Sequence, residues 1–168
     1  MKKHSKIKYL MLCITALTAV MACNQNTSHN NPETQSESSL FPKGEKLSNE
    51  WFTGNAYLKP LLAKDKNNEF GLGSVTFEPG ARTIWHTHPK GQVLIVTDGE
   101  GFYQEKGKPA QALTKGVVVN VPENTEHWHG ASANKTLVHI ALTNYKGNEN
   151  VVWLKPVTEA EYNSANKK

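Results

Sequence analysis

The sequence predicts an all-β domain, an antiparallel sandwich or barrel, finished by one short C-terminal helix. Three observations predict it. Short runs rich in Val, Ile, Thr and aromatic residues recur between turn residues such as Pro89/Gly91, Asp98-Gly99, Gly107/Pro109, Gly116, Pro122/Asn124 and Gly147-Asn148. Histidines two apart, His86/His88 and His127/His129, sit inside two of these runs, so each pair shares a strand face. One good helix start is present, the capping box Thr158-Glu159-Ala160-Glu161 after Pro156.

The chain has 168 residues, enough for one domain and an N-terminal extension. Lys2, Lys3, Lys6 and Lys8 precede an apolar run of fourteen residues, Tyr9 to Ala22. A membrane-crossing helix needs roughly 20 such residues, so this run reads as the core of an export signal over 1–22. It ends in Val20-Met21-Ala22-Cys23, which resembles a bacterial lipoprotein cleavage box in which Cys23 carries the lipid. An uncleaved anchor is the alternative. Removing the four signal lysines from 19 basic residues leaves 15, against 15 acidic ones, so the mature chain carries no net charge. Nucleic-acid binding, which needs a basic patch, is not expected. Cys13 leaves with the signal and Cys23 is acylated, so no disulfide is expected in the mature chain. The expected location is the membrane of an exporting bacterium, on the periplasmic or outer-membrane face.

Residues 23–44 are polar and read as a flexible tether, with His29 solvated in it. A coil of roughly 20 residues would hold the domain about 25 Å from its anchor. Strand signals follow at 51–54, 56–58, 70–77, 82–88, 92–97, 101–106, 110–114, 117–121, 127–131, 136–142 and 151–156. In the run QVLIVT both faces are apolar, Leu94 and Val96 on the Gln92 face and Val93 and Ile95 on the other. That pattern predicts a second layer or a second subunit over the barrel, and a homodimer is the expectation.

The histidine pairs and Gln92, which follows the Pro89-Lys90-Gly91 turn, converge if their strands pair. Imidazoles and an amide so placed make a divalent-metal site. The structural alternative has the histidines lining an apolar barrel and binding nothing. Trp85 and Trp128 fall on the opposite face, as core or subunit contacts. His139, in the apolar run LVHIAL, reads as a satisfied core residue, and Arg82 as a surface arginine.

Gly80-x5-His86-x-His88-x3-Gln92-x6-Gly99 resembles the first motif of the cupin superfamily, and Gly116-x5-Pro122-x-Asn124-x2-His127 resembles the second. Asn124 stands where glycine is usual, and asparagine tolerates the left-handed backbone a glycine would supply. Ala131 stands where asparagine is usual. The resemblance covers roughly residues 45–168 and implies a jelly-roll β-barrel of about six to eight strands. The strings WFTG, FEPGARTIWHTHPKGQVLIVT, HWHGA and VTEAEY narrow it to small bacterial cupins that act as manganese-dependent hydroxynitrile lyases. That likeness implies metal ligation by His86, His88, Gln92 and His127, with Mn²⁺ first in line and Fe²⁺, Zn²⁺ or Ni²⁺ as alternatives. His129, beside the ligands, is either a general base or a hydrogen-bonding neighbour of the metal site. The implied function is a lyase acting on a small hydroxylated or carbonyl substrate. A non-catalytic binding or sensing module and a dioxygenase are the competing classes.

Overall fold

A computed structural model describes residues 39–167. The signal, Cys23 and the tether up to residue 38 lie outside the described residues. Gly44 to Lys46 enters the sheet, and just ahead of it Lys43 pairs with Glu78 at 2.6 Å and lies over the Tyr57 ring. The last residues of the expected tether are thus tied to the domain.

The described residues form twelve strands and one helix: β1 (Glu45–Lys46), β2 (Phe52–Thr53), β3 (Ala56–Leu62), β4 (Phe70–Phe77), β5 (Arg82–Thr83), β6 (His86–Thr87), β7 (Gln92–Glu105), β8 (Gln111–Thr114), β9 (Val118–Val121), β10 (His127–Ala131), β11 (Leu137–Asn144), β12 (Val152–Trp153) and α1 (Glu159–Ala165). Every pairing is antiparallel, and the sheet order β1-β3-β4-β11-β7-β10-β5-β2 curls into a jelly-roll barrel. The expected fold class holds.

Two of the differences from the strands read in the sequence have a plain physical reason. The runs read at 92–97 and 101–106 fall in one strand of 14 residues, β7, which ends at Glu105, and are not parted by a turn at Asp98-Gly99. Its first half pairs with β11 and β9, its second with β10 and β8, so one strand serves both sheets. The change-over is made at Gly99, φ +78°, and Gly101, where a Cβ would land on the backbone carbonyls of Thr136 and Gly130. Those glycines bend a strand where a turn was expected. Residues 82–88, read as one strand, are two. Ile84 and Trp85 leave the ladder to bond the backbones of Trp51 and Lys155.

Most of the core lies between the sheets, with Phe52, Phe77, Leu94, Val96, Leu113, Val121 and Leu137 buried. A second cluster, Trp85, Trp128, Val157, Tyr162 and Ala165, sits where α1 covers the backs of β6 and β10. The capping box predicted for α1 is formed, with Thr158 and Glu161 satisfying one another's backbone N–H groups. Arg82 is a correction: it is 3% exposed and not a surface residue. Its guanidinium pairs with Glu159, donates to the Val157 carbonyl and lies 4.3 Å from the Tyr162 ring centroid. On the other flank of the barrel, Ile95 and its cross-strand neighbour Val118 remain 38% and 59% exposed.

Candidate metal centre

Four histidines meet inside the barrel because β6 and β10 are antiparallel neighbours in register. His86 pairs directly with His127, bringing their ring centroids to 4.1 Å. His88 lies 5.0 Å from His86 and 5.4 Å from His127 by ring centroids. His129, two residues along the same face of β10, is 5.5 Å from His86. Ring nitrogens of His86, His127 and His129 all lie within 4.8 Å of one another, a spacing able to hold a divalent metal.

The hydrogen bonds sort these histidines. His86 Nδ1 meets the Ile84 carbonyl at 2.9 Å, His127 Nδ1 the Thr125 carbonyl at 2.8 Å, and His88 Nδ1 the Asn150 carbonyl. A carbonyl accepts only, so each Nδ1 carries the proton and each Nε2 presents a lone pair. Nε2 of His88 and of His127 is buried with no hydrogen bond to the protein. Gln92 donates its amide N–H to Thr143 Oγ1 at 2.9 Å, which fixes the side chain and leaves Oε1 buried and unbonded beside His88. Buried acceptors left unpaired cost free energy, roughly 1–3 kcal/mol each. Such acceptors, set beside the clustered ring nitrogens of His86 and His127, are what a cation would satisfy. His129 lacks the orienting carbonyl, and its Nδ1 is buried and unbonded.

Burial keeps the set neutral. It pushes His86 well below the ordinary imidazole range, and the neighbouring His127 and His88 push it further. Burial lowers His127 to about 4, although the Thr125 carbonyl works against it. His88 is lowered less, because the Asn150 carbonyl and Gln92 oppose the effect of burial. His129 is driven well down, first by burial and then by His139. Neutral imidazoles are the form that ligates metal. The donor set carries no charge of its own, so a bound divalent cation would keep its full charge.

A cavity of about 540 Å³ opens onto these groups, lined by His86, His88, Gln92, His129 and His139 and walled by Trp51, Phe52, Val75, Phe77 and Trp153. Trp51 and Trp153 stack at 5.5 Å. His86, His88, Gln92, His127 and His129 therefore lie close together, while Cys23 falls outside the described residues. His139 is a core residue, as expected, but not a satisfied one, since neither ring nitrogen makes a hydrogen bond of ordinary geometry. It faces the cavity, with its ring 4.9 Å from His129 and stacked on Phe77. The alternation LVHIAL had placed it inside; nothing in that run says that the inside is a cavity. Asn150 and Thr143, which hold His88 and Gln92, were not foreseen, because they act from 62 and 51 residues away. Asn124 has the left-handed backbone foreseen for it, φ 58°, and its N–H donates to the His88 carbonyl.

Residues 73–142 match the cupin domain family. An (R)-mandelonitrile lyase from Granulicella tundricola is 41% identical over 113 residues, which cover 67% of this chain and 86% of that one. The chain belongs to the cupin family. A solved cupin-like protein from Thermotoga maritima is 48% identical, covers 77% of this chain and 98% of its own, and superposes with a TM-score of 0.73. A predicted oxalate decarboxylase from the same organism, 21% identical with a TM-score of 0.56 over 70% of this chain and 97% of that one, shares the fold.

Proposed function

We propose that this cupin is a metal-dependent lyase of the hydroxynitrile lyase type, acting on a small hydroxylated or carbonyl substrate. His86, His88, Gln92 and His127 hold the metal and His129 serves as the base. One observation carries the ligand set: three histidines share an Nδ1 bonded to a backbone carbonyl, and Gln92 has its nitrogen bonded and its oxygen free. His129 does not share that arrangement, which separates it from the ligands. The 41% identical mandelonitrile lyase supports the reaction class. The set suits Mn²⁺ or Fe²⁺. When bound, such an ion supplies a positive charge next to the cavity that polarises a substrate oxygen.

The chain's own residues do the rest. The walls formed by Trp51, Phe52, Phe77 and Trp153 hold an apolar body and exclude water. His129 is neutral, reaches the cavity beside His86 and accepts the hydroxyl proton at a ring nitrogen. His139, against its ring, is also neutral, held at about 4 by burial.

The test is to prepare the full chain with Mn²⁺ and measure mandelonitrile cleavage and O₂ uptake, beside His127→Ala and His129→Ala. Cleavage well above the His127→Ala background, with no O₂ uptake, is expected. Cleavage no faster than that background ends the lyase reading. O₂ uptake would transfer the protein to the dioxygenases. An unchanged rate in His129→Ala would remove His129 from the role of base.

A further inference from the structure

We propose that the natural ligand of the cavity is an apolar-bodied carboxylate whose charged head pairs with Lys64 at the cavity mouth. The inference names a substrate class for the site described above and rests on that reading only in using the same cavity. Among the residues that line it there is no aspartate or glutamate, and Lys64 is the one formally charged side chain. Lys64 belongs to the β3–β4 connection. Its ammonium donates to the Gly147 carbonyl across the mouth and lies 5.4 Å from the Tyr145 ring centroid.

An ammonium has three N–H donors, and one is used. No carboxylate of the described residues lies in ion-pair range of it, and it alone among the lysines lines the cavity. A lysine half-buried among apolar groups without a counter-ion is a site for one. The inner end of the cavity reinforces the sign, because its imidazole and amide donors bring no negative charge. A cationic organic ligand would meet the Lys64 ammonium at the mouth. A small polyanion would strand its further charges against Trp51, Phe52 and Trp153. One carboxylate on an aromatic or aliphatic body fits both the walls and the volume of about 540 Å³.

The probes are hydrocinnamate and its neutral isostere hydrocinnamamide, titrated against the full chain with and without Mn²⁺. Fluorescence reports binding, since Trp51 and Trp153 line the cavity. Lys64→Gln keeps an N–H for the Gly147 carbonyl and removes the charge; Lys64→Arg keeps both. In metal-stripped wild type the carboxylate is expected to bind about tenfold tighter than the amide. The preference should vanish in Lys64→Gln and persist in Lys64→Arg. Equal affinities in wild type, no binding of either probe, or a preference that survives Lys64→Gln would each overturn the proposal. So would a preference that appears only with Mn²⁺ and ignores Lys64. Failure of mandelonitrile cleavage is read in a separate assay and leaves this preference standing.

Discussion

His139 offers the sharpest test of the physical argument, because it is buried and lines the cavity yet stands outside the proposed ligand set. Its imidazole is held at about 4, against an ordinary 6.5, and the cause is burial, opposed only by a backbone contact at Ile140. In the unfolded chain the same group regains its ordinary value. Between those two values the unfolded state binds a proton that the folded state refuses, so stability falls as pH drops through the window. The sign is fixed: the contribution of the neutral, buried form is whole above 6.5 and is lost as pH falls toward 4.

Replacing His139 with leucine removes the titrating group, so wild type and variant should diverge as the medium is acidified. Near neutrality the difference in unfolding free energy reflects packing and the unbonded ring nitrogens alone. Near pH 5 the unfolded wild type gains about 2 kcal/mol from protonation, while the folded protein, its imidazole at about 4, gains almost nothing. The variant should therefore become more stable relative to wild type by about 2 kcal/mol between about pH 7.5 and pH 5. Urea unfolding of metal-free protein, followed by tryptophan fluorescence, measures it. His86 and His127 titrate in both proteins and cancel in the difference, while His129, which His139 also holds down, adds to it in the same direction. An unfolding difference that is flat across this range would refute the burial argument for His139, and weaken the same argument for its neighbours.

Gln92→Glu should bind Mn²⁺ more tightly, by about tenfold or more in equilibrium dialysis, because a carboxylate adds charge to a neutral donor set. Weaker binding in that variant would remove Gln92 from the ligands. Glu161→Ala should lower stability by about 1 kcal/mol in thermal unfolding, as the capping box and the contacts to Lys106 and Trp85 go together. The lipid anchor read at Cys23 predicts incorporation of a labelled fatty acid that Cys23→Ser abolishes. Sedimentation should show a dimer, with Ile95→Asp shifting it to monomer, if the exposed Ile95 and Val118 mark the second subunit's place.

The fold and the meeting of the histidines were largely legible because strand periodicity is strict. Two histidines at i and i+2 must share a face, so His86 with His88 and His127 with His129 needed only the pairing of their strands. What escaped was non-local. The change of sheet along β7 depends on Thr136 and Gly130 carbonyls approaching Gly99 and Gly101, which no local pattern announces. Arg82 looked like a surface residue because its partners, Glu159 and Tyr162, arrive from a helix 77 and more residues away. The cavity escaped for the same reason. Apolar residues that fill a core and apolar residues that wall a cavity obey one alternation, and only the packing of β3, β4 and β11 separates them.

The same alternation explains how the site is kept rigid. In β10 the string His127-Trp128-His129 places Trp128 on the outer face between two inward imidazoles, and Trp85 precedes His86 in the same sense. Both indoles are almost wholly buried under α1, and each has its N–H bonded, Trp128 to Gln104 and Trp85 to Glu161. Tyr162 adds a hydrogen bond to the Ala131 carbonyl at the end of β10. A shift of β6 against β10 that would part His86 from His127 must therefore also move two packed indoles. Buried aromatic packing of that kind resists displacement far more than an exposed strand pair does. The helix at the far end of the chain thus acts on the metal centre without touching it. Its sequence signal, a capping box followed by Tyr162, was readable; that it braces the histidines follows only from where the barrel sets it down.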